Sequence, residues 1–226
     1  MYELALFAGA GGGLLGTESL GLQTICAVEL EWHRRCVLIQ RQNYRHLRSV
    51  FPIWDDIRTF DGRPWRGRVD VVSGGFPCQA FSTAARGRNN ADDLWPEMRR
   101  VIFETEPDYV FAENVSTAAI EKAARDCASM GYKAKMLSLS AKDLGADHER
   151  ERFWLLAYSN DKSKLRSTID AKMASLPKFC GSVWEAEPNC TRMVDGVAGR
   201  MERYEATGNG QIPIVAAAAL WTLANS

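Results

Sequence analysis

The chain has no excess of either charge. Among its 226 residues, 28 are Lys or Arg and 28 are Asp or Glu, so the formal net charge is zero. That excludes a polybasic tail or a histone-like binder, although a local basic face can still meet nucleic acid. No apolar run of about 18 residues occurs, so no membrane-spanning helix is expected. The opening Met1-Tyr2-Glu3-Leu4 lacks the basic-then-apolar pattern of a secretion leader. The six cysteines, at 26, 36, 78, 127, 180 and 190, form no CxxC pair. No zinc or other metal site is therefore expected, and scattered single thiols fit a reducing cytoplasm. No Gly-Lys-Ser/Thr follows the N-terminal glycines, which excludes a Walker-type triphosphate loop. There is no internal repeat.

What is present is an ordinary globular composition, 46% hydrophobic and 25% charged. A chain of this length can bury roughly 70% of its unfolded surface in one domain without covalent staples. Short apolar runs alternate with helix-like stretches. Leu4–Ala8, Leu22–Val28, Val69–Ser73, Tyr109–Glu113, Met136–Leu139 and Phe153–Tyr158 read as strands. Glu31–Asn43, Asp92–Glu104 and Ile120–Met130 read as helices, the last stopped by Gly131. This alternation predicts an α/β fold with a mostly parallel, doubly wound sheet. In such sheets ligands bind beyond the carboxyl ends of the strands. Gly9, Glu29, Gly75 to Gln79, and Glu113-Asn114 cluster at those ends. The pattern fades after Asn160, where five basic residues face two acidic ones between Asp161 and Lys178. An irregular insertion of some 30 to 45 residues is expected there, its lysines free to meet phosphates. Order returns with an Ala-rich helix over Ile212–Ala224.

Phe7-Ala8-Gly9-Ala10-Gly11-Gly12-Gly13 joins the first strand to a helix. Glycines there let the backbone approach a ligand and leave helix N–H groups free. Glu29, at the end of the second strand, is placed to accept hydrogen bonds from ribose hydroxyls. The loop therefore suits a nucleoside. Asp56 can accept from an adenine amino group while Ile57 packs on the ring.

Cys78 follows a proline on a glycine-rich turn, Gly74-Gly75-Phe76-Pro77-Cys78-Gln79-Ala80-Phe81-Ser82, at the functional end of the sheet. A position of that kind suits a nucleophile better than a core thiol. Glu113 ends the neighbouring strand and would face the same cleft as a candidate acid. His148-Glu149-Arg150-Glu151-Arg152 precedes a further strand, its arginines spaced to share one face.

FAGAGG, Glu29, GGFPCQAFS, AENV, HERERF and GNGQIP, in this order, resemble the DNA (cytosine-5) methyltransferases, from about residue 4 to 160 and again from about 190 to 222. The resemblance implies a Rossmann-like fold that binds S-adenosylmethionine and releases S-adenosylhomocysteine, without a metal. It places Phe7, Gly9, Gly11 and Gly12 at the cofactor's methionine end, Glu29 at the ribose, Asp56 and Ile57 at the adenine, and Asn209 across the pocket. It implies that a cytosine flips out of double-stranded DNA, that Cys78 adds to carbon-6, and that Glu113 stabilises protonation at nitrogen-3. Arg150 and Arg152 would contact the base and organise the nucleophile's loop. Gln79, Ser82, Arg86, Arg88, Asn114, Arg200 and Arg203 are expected at the nucleic acid, with Ser82 to Asn90 closing over the flipped nucleotide.

The implied organisation is a core over residues 1–158, a short target-recognition region over 159–203 and a returning helix over 204–226. Such an enzyme, orphan or part of a restriction-modification system, works in the cytoplasm of a bacterium or a phage-infected host. His148 stands where the family often has glutamine. The recognition region is far shorter than in most members, which leaves a short target sequence, a partner subunit, or weak specificity. Two other readings stand beside this one. A tRNA methyltransferase of the same fold would carry Cys-Phe-Thr where this chain has Phe179-Cys180-Gly181. A non-catalytic scaffold would be expected to have lost Cys78 or the glycines.

Overall fold

The computed structural model describes residues 1–77, 93–174 and 210–226. The strands are β1 (Tyr2–Leu6), β2 (Gln23–Val28), β3 (Ile53–Trp54), β4 (Val71–Gly75), β5 (Tyr109–Asn114), β6 (Lys133–Leu139) and β7 (Arg152–Tyr158). The helices are α1 (Gly12–Ser19), α2 (Trp32–Asn43), α3 (Trp95–Thr105), α4 (Thr117–Ser129), α5 (Ser163–Ala174) and α6 (Pro213–Asn225). One seven-stranded sheet runs in the order β3-β2-β1-β4-β5-β7-β6. The first five of these are parallel, and β7 runs antiparallel to both β5 and β6. The chain reverses at β1, between β2 and β4, so the switch point opens above the carboxyl end of β1.

Side-chain alternation assigns each strand residue to a layer. Leu4, Leu6, Val28, Val72, Val110 and Ala112 face α3 and α4, in a core closed by Trp95, Met98, Ile102 and Ile120. Val71, Tyr109, Phe111, Trp154 and Leu156 face α5 and α6 on the other side. Ala5 and Ala27 continue that second face under Leu14 of α1 and Leu38 of α2. Both faces are covered, so the strands read as unbroken apolar runs rather than as alternating ones.

The lysine-rich stretch after Asn160, expected to be irregular, forms α5. Leu165 and Ile169, one turn apart, are fully buried. Lys162 is buried too, and its Nζ donates to the Leu223 carbonyl at 2.9 Å and to that of Ser226. It thus satisfies carbonyls at the end of α6 that the helix itself leaves open. Arg166 donates to the Ala224 carbonyl, and Lys164 pairs with Asp70 and Asp108. These three cations hold the molecule together, away from the switch point, and are not a free phosphate-binding array.

Candidate active site

Three of the five residues following β1 adopt the left-handed conformation: Phe7 (φ 53°), Gly9 (φ 57°) and Gly11 (φ 82°). The strain is ordinary for the glycines but costs about 1–3 kcal/mol at Phe7. The loop is therefore held, not relaxed. Glu29, nearly buried at the end of β2, does much of the holding. Its Oε2 accepts from the Gly9 N–H at 2.7 Å and its Oε1 from the Glu31 N–H at 2.9 Å. Burial raises its carboxyl above the usual range, against these N–H groups and the nearby Arg34. Gly11 precedes α1 without a capping side chain.

Beside Glu29 lie exposed apolar surfaces at Leu30, Trp32 and Trp54, the last two 61% and 46% accessible. A buried carboxylate, a glycine loop with open space around Gly9, and exposed aromatic faces form a donor and acceptor set that fits a nucleoside. Asp56 accepts from the Arg58 N–H and begins a 3-10 turn, Ile57–Thr59. Ile57 points into the core under α3, and its carbonyl accepts from Arg100 at 2.6 Å.

Glu113, the penultimate residue of β5, is 8% exposed and lies beside its register partner Gly75. Arg152 Nε meets its Oε1 at 3.0 Å, and Gln211 Nε2 donates to its Oε2 at 3.2 Å. Burial raises the Glu113 carboxyl, and Arg152, Gln211 and Arg150 act against that rise. Arg150 donates to the Gly210 carbonyl at 2.6 Å. Burial, then the adjacent Arg152 charge, disfavours its cationic form. The alternation expected in the arginine motif is realised. Glu149 and Glu151 turn outward, to Lys142 and Ser138, while Arg150 and Arg152 turn inward.

Asn114, expected from the sequence at the nucleic acid, faces the other way. It is 3% exposed, its amide donates to the Phe76 carbonyl at 2.8 Å, and its Oδ1 accepts from the Ser116 N–H that leads into α4. Both polar ends are used inside the protein. Asn114 therefore fixes the turn that precedes Cys78, with Phe76 packed 5.0 Å from Trp95, ring centroid to ring centroid. Leu94 N–H, at 3.4 Å from the Pro77 carbonyl, ties the chain on the far side back to the same point.

Cys78, Gln79, Ser82, Arg86, Arg88, Arg200, Arg203 and Asn209 lie outside the described residues. Cys26 and Cys127 are buried, and burial pushes both thiols up to about 12, which suits core and not nucleophile. Among the described residues no group of three His, Cys, Asp or Glu is placed to hold a metal. No described helix is long and apolar enough to cross a membrane. Sequence reasoning missed Gln211 and Gly13; the only signal was that Gln211 belongs to the GNGQIP motif.

The family model for C-5 cytosine-specific DNA methylases matches residues 1–203. Type II methyltransferase M.NgoMIV of Neisseria gonorrhoeae is 32% identical over 172 residues, 70% of this chain and 52% of that protein. Type II methyltransferase M.Eco47II of Escherichia coli is 34% identical over 173 residues, 70% of this chain and 39% of that protein. The chain thus spans about half or less of these curated relatives. Among solved structures, the S. pombe Dnmt2 methyltransferase superposes with a TM-score of 0.56 at 20% identity, covering 71% of this chain and 51% of that one. That likeness bears on the fold, a Rossmann-like methyltransferase.

Proposed function

The chain belongs to the C-5 cytosine-specific DNA methylases, and from that premise we propose that it methylates carbon-5 of a cytosine in DNA. Membership of a methyltransferase family implies S-adenosylmethionine as cofactor and DNA as substrate. The observation that carries the reading is the Glu113 carboxyl. It is buried, clamped between Arg152 and Gln211, and in register with Gly75, three residues before Cys78.

Phe7, Gly9, Gly11 and Gly12 would line the cofactor's methionine end, Glu29 its ribose, Asp56 and Ile57 its adenine, with Asn209 across the pocket. The bound cofactor supplies an electrophilic methyl group on a sulfonium. The chain must make a poorly nucleophilic ring carbon attack it. Cys78 thiolate adds to carbon-6 of the flipped-out base, and Glu113 provides the proton that neutralises nitrogen-3. Carbon-5 thereby becomes enamine-like and accepts the methyl group. Loss of the carbon-5 proton then expels Cys78 and restores the aromatic ring. Burial raises the Glu113 carboxyl, the direction that the acid role requires. Arg152, on one carboxylate oxygen, and the nearby charge of Arg150 stabilise the anion it leaves. The chemistry needs no metal ion. Gln79, Ser82, Arg86 and Arg88 after Cys78, and Arg200 and Arg203, would contact DNA. The target-recognition region would span residues 159–203, α5 included, with a partner subunit needed only if that short segment cannot read sequence alone. A bacterial or phage-infected cytoplasm is the place for such an enzyme.

The test is transfer of labelled methyl from S-adenosylmethionine to unmethylated duplex DNA, followed by bisulfite-type sequencing, with tRNA as the parallel substrate. Cys78→Ala should abolish transfer while cofactor binding stays within a few-fold, and Glu113→Gln should cut the rate on the order of 10²–10⁴-fold. Transfer to tRNA alone, or wild-type rates in Cys78→Ala, would overturn the reading.

A further inference from the structure

Three glycines make room for one glutamine. A Cβ at Gly12 would lie 1.9 Å from the Gln211 carbonyl oxygen, one at Gly13 would lie 2.0 Å from its Oε1, and one at Gly75 would lie 2.6 Å from the Glu113 Oε2 and 3.0 Å from the Gln211 Nε2 that meets it. Gly12 and Gly13 open α1, and Gly75 closes β4. The slot therefore spans the seam between the glycine loop and the strand that leads to Cys78. Gln211 is held in it from behind. Its neighbour Gly210 is hydrogen-bonded by Arg150, and the next residue, Ile212, is the N-cap of α6. At the inner end of the slot the Gln211 amide reaches Glu113.

Arg152 alone, on one carboxylate oxygen, leaves the carboxyl free to turn about its terminal torsion, which is soft. A second donor on the other oxygen, arriving from a different element, fixes the plane. We infer that Gln211 is a positioning residue for Glu113, setting the carboxyl plane that meets the pyrimidine edge and tying that plane to the first turn of α1. The inference rests on the reading of Glu113 as the acid given above. It also explains why the glycine run extends to Gly13. The third glycine serves the glutamine.

Leucine at 211 keeps the volume and removes the donor. Glutamate keeps the shape and sets a second carboxylate against Glu113. The full chain is compared as wild type, Gln211→Leu, Gln211→Glu, Gly13→Ala and Glu113→Gln. Gly13→Ala displaces the amide without changing it, and so stands in if the residue-211 variants fail to fold.

The first readout is a ¹³C NMR titration of the glutamate carboxyls without DNA or cofactor, the Glu113 signal being the one absent from Glu113→Gln. In Gln211→Leu its midpoint should move to higher pH, because a donor to the ionised form is lost. Arg152 and Arg150, the charged groups acting on it among the described residues, are unchanged in that variant. The second readout is methyl transfer to duplex DNA. There kcat should fall about tenfold, the KM for S-adenosylmethionine should stay within about threefold, and the alkaline limb of the kcat–pH profile should follow Glu113 upward. Gln211→Glu should lose more than Gln211→Leu.

A Glu113 midpoint and a kcat limb that stay in place in Gln211→Leu and Gly13→Ala would overturn the inference, even if the melting temperature fell. Failure of the underlying reading looks different: wild type would move no methyl to DNA, or Glu113→Gln would match it. The titration then still decides whether Gln211 orients Glu113.

Discussion

Alanine at Gly12 and at Gly13 should produce opposite phenotypes, although the two residues are adjacent in the first turn of one helix. Alanine is intrinsically better than glycine there by about 0.5–1 kcal/mol. At Gly12 the new Cβ would sit 1.9 Å from the Gln211 carbonyl oxygen and 3.0 Å from its carbonyl carbon. Comfortable contact begins near 3.5 Å, so the main chain must retreat by about 1.5 Å. It cannot do so alone, because Gly210 is held by Arg150 and Ile212 accepts the first hydrogen bond of α6 from Ala216. The overpacking cost lies at the upper end of the usual 1–3 kcal/mol, leaving a net loss of about 2 kcal/mol. For a domain of this size that lowers Tm by roughly 4–8 °C. At Gly13 the obstacle is the Gln211 Oε1, the tip of a side chain that can swing away. Helix propensity offsets the lost contact, and stability should change by no more than about 1 kcal/mol. Glu113 then loses its amide partner, and kcat should fall about tenfold. Thermal melts by circular dichroism, paired with methyl-transfer kinetics, check both. Equal melting temperatures for the two variants, whether both low or both unchanged, would refute the reasoning.

Asn114→Ala removes the donor that holds the Phe76 carbonyl and should cost about 1–3 kcal/mol, seen in urea unfolding. Methyl transfer should fall while calorimetric cofactor affinity stays within a few-fold; parallel losses would contradict its assignment to the nucleophile's turn. Glu3, fully buried, accepts hydrogen bonds from the hydroxyls of Thr17, Thr24 and Ser73, and burial still raises its carboxyl above the usual range. A carboxyl raised in the folded state stabilises fully below its unfolded pKa, about 4.3, and loses that contribution as pH climbs through the folded value. Glu3→Gln carries no such loss, so its stability relative to wild type should grow as pH rises above about 4.3. A difference that stays flat as pH rises would count against a raised Glu3.

The parallel half of the sheet was legible because its strands are buried on both faces and stop at glycines or acids. Leu4–Ala8 and Tyr109–Glu113 are instances. Glu113 stood out because a carboxylate at the end of an apolar run is anomalous. Glu29 stood out for the same reason, with a glycine loop some 20 residues before it. The antiparallel turn of β7 was not legible, since β7 has the same apolar texture as the parallel strands, and the half-exposed, lysine-bearing β6 says nothing of direction. α5 was hidden by composition. Only Leu165 and Ile169 are fully buried, and Lys162 and Arg166 beside them serve carbonyls of α6 that are remote in sequence. Gln211 was hidden for a related reason. A glutamine before a helix is unremarkable until Gly12, Gly13 and Gly75, from two other segments, are seen to close around it.

The two last residues of β5 send their side chains to opposite layers, Glu113 toward α6 and Asn114 toward α4. The dipeptide is thus an inheritance unit. On the mechanism proposed above, one residue supplies the acid and the next secures the turn before Cys78, and the pleat keeps them on opposite sides of the sheet. A single-residue insertion or deletion in β5 would exchange the two roles at once. It would put the carboxyl beneath the Phe76 turn and leave an amide facing the arginines. No compensating point change on either side could restore both. The strand can drift in sequence as long as its length does not change, and an engineer grafting this chemistry elsewhere must transplant the parity along with the residues.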